Sequence, residues 1–185
     1  AELVAERGAA GTTLDDVHAA TGASKSQLYH YFGDKHGLIE AVVDYQCATV
    51  LGLQALALGS VSAWEDLELW AEVMANAFEQ QGSRGGCPIG TLAAALADTD
   101  ERLRASLSEA FRAWSDSIYG ALSRLRDNGL LSADADLGAL TTIMLSAIQG
   151  GLLLAKTSRD ADQLRTATRG AITQLRSHSP QQQRV

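Results

Sequence analysis

The stretch Thr13 to Lys35, TLDDVHAATGASKSQLYHYFGDK, most narrows what this chain can become. Thr13 stands where it can cap a helix, and Asp16 three residues later closes a capping box. Ser24 and Gln27 repeat the arrangement further on. Gly22 falls between them, where a tight turn calls for a positive φ. Leu14, Val17, Ala20 and Leu28 supply the apolar positions. The expected layout is a short helix, a turn, and a second helix over roughly Lys25 to Tyr31. That is the order of a helix-turn-helix, whose second helix enters the DNA major groove.

The rest of the chain is also expected to be helical. Only two prolines occur in 185 residues, alanine and leucine dominate, and hydrophobic residues reach 46%, enough for a real core. Ala1 to Arg7 reads as a helix ended by Gly8, and Asp34 opens a helix through about Leu58. Leu67, Trp70, Met74 and Phe78 recur at helical spacing within Ser62 to Gln81. A glycine-rich loop, GSRGGCPIG, leads to a helix started by Pro88. Long helices follow over Glu101 to Asp127, from Asp134 or Asp136 to Lys156, and over Asp160 to Leu175. The expected fold class is all-α. A helix-turn-helix domain occupies 1–45, a helical effector-binding and dimerisation domain 46–177, and a frayed polar tail 178–185. The helix from Asp34 is expected to belong to both domains.

TTLDDVHAATGASKSQLYHYFGDKHGLIEAVV resembles the DNA-binding signature of the TetR family of bacterial one-component repressors. The match covers about Ala1 to Tyr45. It rests on the threonine at the helix start, the A-x-x-x-G-x-S turn and LYHYF-G-x-K together. GGCPIGTLAAALADTDERLR resembles the subgroup typified by the LmrA and YxaF repressors. The resemblance implies an all-helical dimer with a separate ligand-binding domain. It also implies phosphate contacts from Thr13, Tyr29 and Lys35. Family members usually have basic residues upstream of the point where this sequence starts.

Charge argues against a general nucleic-acid binder. The net charge is −7 and the pI near 5.0. Within Ala1–Val50, Arg7, Lys25 and Lys35 face seven Asp and Glu residues, so the reader itself is acidic. Binding then depends on placement, because hydroxyls, amides and helix N-termini also hold phosphates. Lys25, Ser26, Gln27, Tyr29 and His30 define the polar side of the reading helix. Gln27 suits adenine, and Lys25 or Ser26 suits a base edge. Lys35, in the first turn of the next helix, is suited to a phosphate. His30 fits a base contact, a phosphate contact or a packed side chain. Tyr31 and Phe32 are expected in the core.

The large soft side chains Trp64, Trp70, Met74, Phe78, Phe111, Trp114, Tyr119 and Met144 all lie beyond the reader. Core packing accounts for any one of them. Together they suggest a cavity for an apolar or aromatic small-molecule effector. Asn76, Ser115 and Tyr119 can add polar contacts to it. The apolar helix from Asp136, with Thr141, Ala147, Gly151 and Leu154, is the candidate dimer interface, or else the centre of the monomer's own bundle. Cys87 precedes a helix start and lies near Arg84, conditions that can lower a thiol pKa and invite a redox-sensor reading, but it lacks a nearby cysteine or histidine partner in sequence. A structural cysteine is the expectation. The four histidines share no helical face, and no metal site or cofactor is expected. Leu137–Ala155 comes nearest to a membrane span but is interrupted by Thr141, Thr142, Ser146 and Gln149.

The combined expectation is a cytoplasmic homodimeric repressor that binds palindromic operator DNA and is released by an apolar ligand. The alternative is a helical dimeric interaction or small-molecule-binding protein that does not bind DNA. An enzyme is not expected, because no convergent acid/base, nucleophile or metal set is present.

Overall fold

The computed structural model describes residues 1–180. Among the described residues there are nine helices and no strand. In chain order they are α1 Glu2–Arg7, α2 Leu14–Thr21, α3 Lys25–Phe32, α4 Lys35–Gly59 and α5 Trp64–Gln80. Then come α6 Pro88–Leu96, α7 Glu101–Asp127, α8 Leu137–Ser158 and α9 Asp162–Arg176. By compactness the chain divides into two units. The first joins Ala1–Leu51 to Pro88–Phe111, and the second joins Gly52–Cys87 to the residues from Arg112 onward. The first unit is thus larger than the 1–45 reader expected from sequence, because α6 and the start of α7 cluster with it.

In the first unit the local chemistry sets each helix start. The Thr13 hydroxyl accepts from the Asp16 amide at 3.2 Å while the Asp16 carboxylate accepts from the Thr13 amide at 2.8 Å. The Thr13 hydroxyl and then its amide, both donating to the carboxylate, hold the Asp16 carboxyl below the usual carboxylate range. Ser24 and Gln27 form the second box, with the Gln27 amide 3.2 Å from the Ser24 hydroxyl. Gly22 closes the turn at φ 71° and ψ 0°, a left-handed conformation that costs glycine little. Leu14, Leu28 and Leu38 then bury together, with Val17, Ala23 and Phe32 packed against them. Burying each leucine contributes about 1.5–3 kcal/mol. Thr12, wholly buried, donates its hydroxyl to the Gly8 carbonyl at 2.9 Å and so carries no unmet donor.

In the second unit α8 and α9 form a close pair. α8 starts at Asp136, whose carboxylate accepts from the Ala139 amide at 3.0 Å. Its buried line is Leu137, Leu140, Met144, Ile148, Leu152 and Ala155. Gly151 lets α9 approach: a Cβ there would lie 3.0 Å from both Leu164 Cδ1 and Ala167 Cβ. Gly151→Leu is therefore expected to push the two helices apart. The expected cost is about 1–3 kcal/mol, read as a melting temperature lower by roughly 2–12 °C. An unchanged melt would show that the pair has room to spare.

α5 begins after Ser62 rather than at it. Asp66 accepts from the Ser62 and Ala63 amides, both at 2.9 Å, and these bonds lower its pKa. By length and mean hydropathy alone, α4 and α8 would each suffice to cross a membrane, and α4 was not singled out from sequence. Of the tail expected at 178–185, His178 accepts from the Ser132 amide at 2.8 Å, and everything after Pro180 lies outside the described residues.

Candidate nucleic-acid interface and effector unit

α3 turns Leu28 inward and leaves Lys25, Ser26, Gln27, Tyr29 and His30 exposed. The five residues expected to read DNA therefore share an open surface. The exposure of His30 removes its packed alternative. Tyr31 corrects the expectation of a core residue, since it is 78% exposed and its ring meets that of His30 edge-on at 5.6 Å. Phe32 is half-buried against the leucine cluster. Sequence reasoning thus left one aromatic ring off this surface.

Two polar side chains on that surface, Gln27 and Lys25, and the polar groups of Arg7, Thr13 and Lys35 nearby in the chain are already engaged. The Gln27 side-chain oxygen accepts from the Ser24 amide at 3.0 Å, so its amide group is the part turned free of the capping box. The Lys25 ammonium lies 2.8 Å from the Asp15 carboxylate, which holds it in the charged form. Lys35 donates to the Ala10 carbonyl at 2.5 Å. Arg7 pairs with Asp16 at 2.8 Å. The Thr13 hydroxyl donates to Asp16 at 2.6 Å. Every Lys and Arg within Ala1–Val50 holds an internal partner. Three-dimensional placement therefore deepens the charge deficit visible in the sequence.

The aromatic and thioether set has a mixed fate. Trp64, Trp70, Phe78, Trp114 and Met144 are buried, Met74 and Phe111 are half-buried, and Tyr119 is exposed. Phe111 falls in the first unit and the others in the second. The Trp70 indole donates to the Gln54 side chain at 2.9 Å. Trp114 Nε1 and Thr141 Oγ1 are buried without a protein hydrogen-bond partner. A groove of about 460 Å³ opens between α5 and α9, floored by Ala71, Thr168 and Ile172. Its lining includes none of the expected effector residues. Instead it is rimmed by charge. Arg165 pairs with Glu72 at 2.9 Å, Glu79 at 2.5 Å and Asp162 at 2.9 Å, and these carboxylates strengthen its hold on its proton. Arg176 pairs with Glu68 at 3.0 Å and lies 5.4 Å over the Trp64 ring. Sequence reasoning missed this hub, because Glu68, Glu72 and Glu79 come from α5 while Arg165, Arg176 and Asp162 lie on α9.

Of the expected dimer residues, Thr141 and Gly151 are buried within their own chain, Ala147 is half-buried, and Leu154 is 57% exposed. Leu153 and Ile143 join Leu154 as exposed apolar side chains of α8. Cys47 and Cys87 form no disulfide, and the buried Cys87 sulfur accepts from Gln149 at 3.5 Å.

A capped helix-turn-helix presenting one open helix face, attached to a larger helical unit, defines a DNA-binding transcriptional regulator, a class without enzymatic chemistry. The chain belongs to the TetR family, within its LmrA/YxaF-like group. Residues 1–42 match the bacterial regulatory proteins of the tetR family, and residues 63–170 match the C-terminal domain of LmrA/YxaF-like transcriptional regulators. The HTH-type transcriptional regulator YxaF of Bacillus subtilis is 30% identical over 80% of this chain and 76% of its own length. The HTH-type transcriptional repressor NemR of Escherichia coli is 24% identical over 90% of this chain and 84% of its own. The crystal structure of the regulatory protein TetR from Rhodobacter sphaeroides superposes with a TM-score of 0.83 at 25% identity, covering 93% of this chain and 92% of that one. Regulators of this family bind DNA and typically act as dimers.

Proposed function

We propose that this regulator is a cytoplasmic repressor that binds a palindromic operator as a homodimer through α3 and is released by an apolar or aromatic small molecule. The observation that carries the DNA reading is the open face of α3, with Lys25, Ser26, Gln27, Tyr29 and His30 exposed and Leu28 alone buried. Repression is supported by the likeness to NemR, a named repressor. The dimer reading draws on exposed Ile143, Leu153 and Leu154 along α8. Burying such residues against a two-fold mate removes apolar area from water. The effector reading draws on the tryptophans and methionines of the second unit, with Trp64, Trp70, Met74, Phe78, Phe111, Trp114, Tyr119 and Met144 as its residues.

A second reading, a helical dimer that does not bind DNA, is favoured by one observation. Arg7, Lys25 and Lys35 are all held by groups of the protein itself. Selection of genomic fragments by the purified protein separates the two. Retention of no duplex above background at low salt would sink the repressor reading. With an operator in hand, Lys35→Ala is expected to weaken binding to all sequences and to flatten the salt dependence by about 0.9 in log–log slope. Gln27→Ala is expected to relax preference at one base position, at a cost of about 1–3 kcal/mol there. Because Gln27 also closes the Ser24 box, this variant will lose some α3 stability too.

A further inference from the structure

We propose that His18 and Thr21 of α2 pin Ala23, the residue from which α3 starts, and that His18 is thereby a positioning residue of the DNA reader. Ala23 is the one residue between Gly22, which ends α2, and Ser24, which caps α3. It belongs to neither helix, so its amide and its carbonyl need partners from elsewhere.

Both partners are side chains of α2. The Ala23 amide donates to the Thr21 hydroxyl at 3.3 Å. The hydrogen of that hydroxyl goes to the Val17 carbonyl at 2.7 Å, which leaves its oxygen to accept. The Ala23 carbonyl accepts from His18 Nδ1 at 2.7 Å. The Gly22 amide donates back to the His18 carbonyl at 2.9 Å. Ala23 is thus held by α2 at its amide and at its carbonyl, and it packs against the cluster of Leu14, Leu28 and Leu38 as well.

The two bonds are unequal. Thr21 is exposed and its bond from Ala23 is long, so water competes for it. The His18 bond is short and half-buried. A carbonyl oxygen only accepts, so the hydrogen stands on Nδ1, whether the ring is neutral or charged. The bond needs that donor rather than the charge.

Gly22 makes that hold matter. Glycine at φ 71° closes the turn but does little to fix it, because no Cβ limits the other conformations open to it. The His18 ring supplies the restraint that glycine lacks. Lys25, Ser26 and Gln27 open α3, so the direction in which they point follows from where Ala23 is held. An α3 held this way before DNA arrives has less freedom to lose on binding. The effect on operator affinity rests on the DNA-binding reading above, whereas the hold on Ala23 does not.

The test compares His18→Asn with His18→Leu in the full chain. The asparagine side-chain nitrogen comes where Nδ1 stands and keeps the donor, while leucine removes it. Leucine is the better helix former, so helix propensity alone ranks the two variants the other way. Imidazole nitrogen resonances of the native protein are expected to place the hydrogen of neutral His18 on Nδ1. The signal is assigned as the one of four histidines that His18→Asn removes. Amide exchange at Gln27 and Leu28, in the first turn of α3, is expected to speed up severalfold in His18→Leu and to stay near native in His18→Asn. Against the tightest duplex recovered from genomic fragments, His18→Leu is expected to bind roughly 2- to 12-fold more weakly, the loss of about one neutral hydrogen bond. His18→Asn is expected to bind near the native level. A hydrogen on Nε2, native exchange in His18→Leu, or a His18→Asn chain as loose as His18→Leu overturns the proposal. The last of these would assign His18 to its charge at the C-terminal end of α2 instead. The expected tautomer and exchange rates in a protein that retains no duplex would uphold the hold and sink the repressor reading.

Discussion

Trp114→Ala is expected to lower the melting temperature by roughly 6–20 °C, corresponding to about 3–5 kcal/mol for a large aromatic removed from a packed core. Trp114 is 2% exposed on α7, on the same buried line as Leu107, Ile118 and Leu125. The truncation leaves a cavity that these neighbours only partly close. Trp114→Phe is expected to cost much less, for a reason beyond size. The indole N–H of Trp114 has no protein acceptor, and an unmet buried donor costs about 1–3 kcal/mol. Phenylalanine removes that donor while keeping most of the ring. The same reasoning gives Thr141→Val the opposite sign. Its buried hydroxyl has no protein partner, and valine has nearly the same shape. That variant is expected to be neutral or to melt slightly higher. Melts of the three variants side by side check the account. A Thr141→Val chain that loses as much as Trp114→Phe would mean that the hydroxyl is satisfied.

Asp15→Asn is expected to tighten DNA binding by roughly tenfold at low salt and to steepen the log–log salt slope by about 0.9, the signature of one more phosphate contact. The cause is the Lys25–Asp15 pair at 2.8 Å, which keeps a cation of α3 turned toward the protein. Both side chains are well exposed, so breaking the pair costs the fold little. The freed ammonium gains a phosphate, and the reader loses one negative charge. Adding Lys25→Ala should erase the whole gain. Titrations of a duplex at several salt concentrations would read both effects. An Asp15→Asn protein with native affinity and slope would show that Lys25 already leaves Asp15 when DNA arrives.

The features legible in the sequence were those decided within a few residues. Thr13 with Asp16 and Ser24 with Gln27 form capping boxes because the partners are three residues apart and need nothing else. Gly22 marks the turn for the same reason. The break at Gly129 is equally local, and the local pattern narrows the α8 start to Asp134 or Asp136, of which the structure takes Asp136. The expectation of a buried Tyr31 rests on an in-and-out alternation that a helix does not follow. On a helix it sits about 60° from Leu28, and the small leucine cluster does not reach that far round. Phe32, about 40° away on the other side, is packed. Apart from Asp162, three residues before Arg165 on the same helix, the partners of Lys25, Lys35 and Arg165 are not legible. Asp15, Ala10, Glu72 and Glu79 lie on other segments, and nothing in the local pattern names Ala10 as an acceptor or Glu79 as a third carboxylate. Gly151 shows a subtler gap. Its small size was rightly read as permission for close helix approach, but the sequence does not say whether the neighbour is α9 of the same chain or a mate. The structure gives the position to α9.

The Gln27 box has a consequence for anyone wishing to retarget this regulator. One side chain there both ends the turn and faces outward, with its oxygen 3.0 Å from the Ser24 amide. The vocabulary open to that position is therefore short. Glutamate can close the same box, and its carboxylate suits a cytosine edge where the glutamine amide suits an adenine. Arginine, the usual choice for guanine, cannot accept from the Ser24 amide and would fray the helix that presents it. Library designs that randomise the whole α3 face will lose clones at position 27 to misfolding rather than to poor recognition. Designs that hold position 27 to Gln or Glu and vary Lys25, Ser26 and His30 will sample specificity on an intact scaffold.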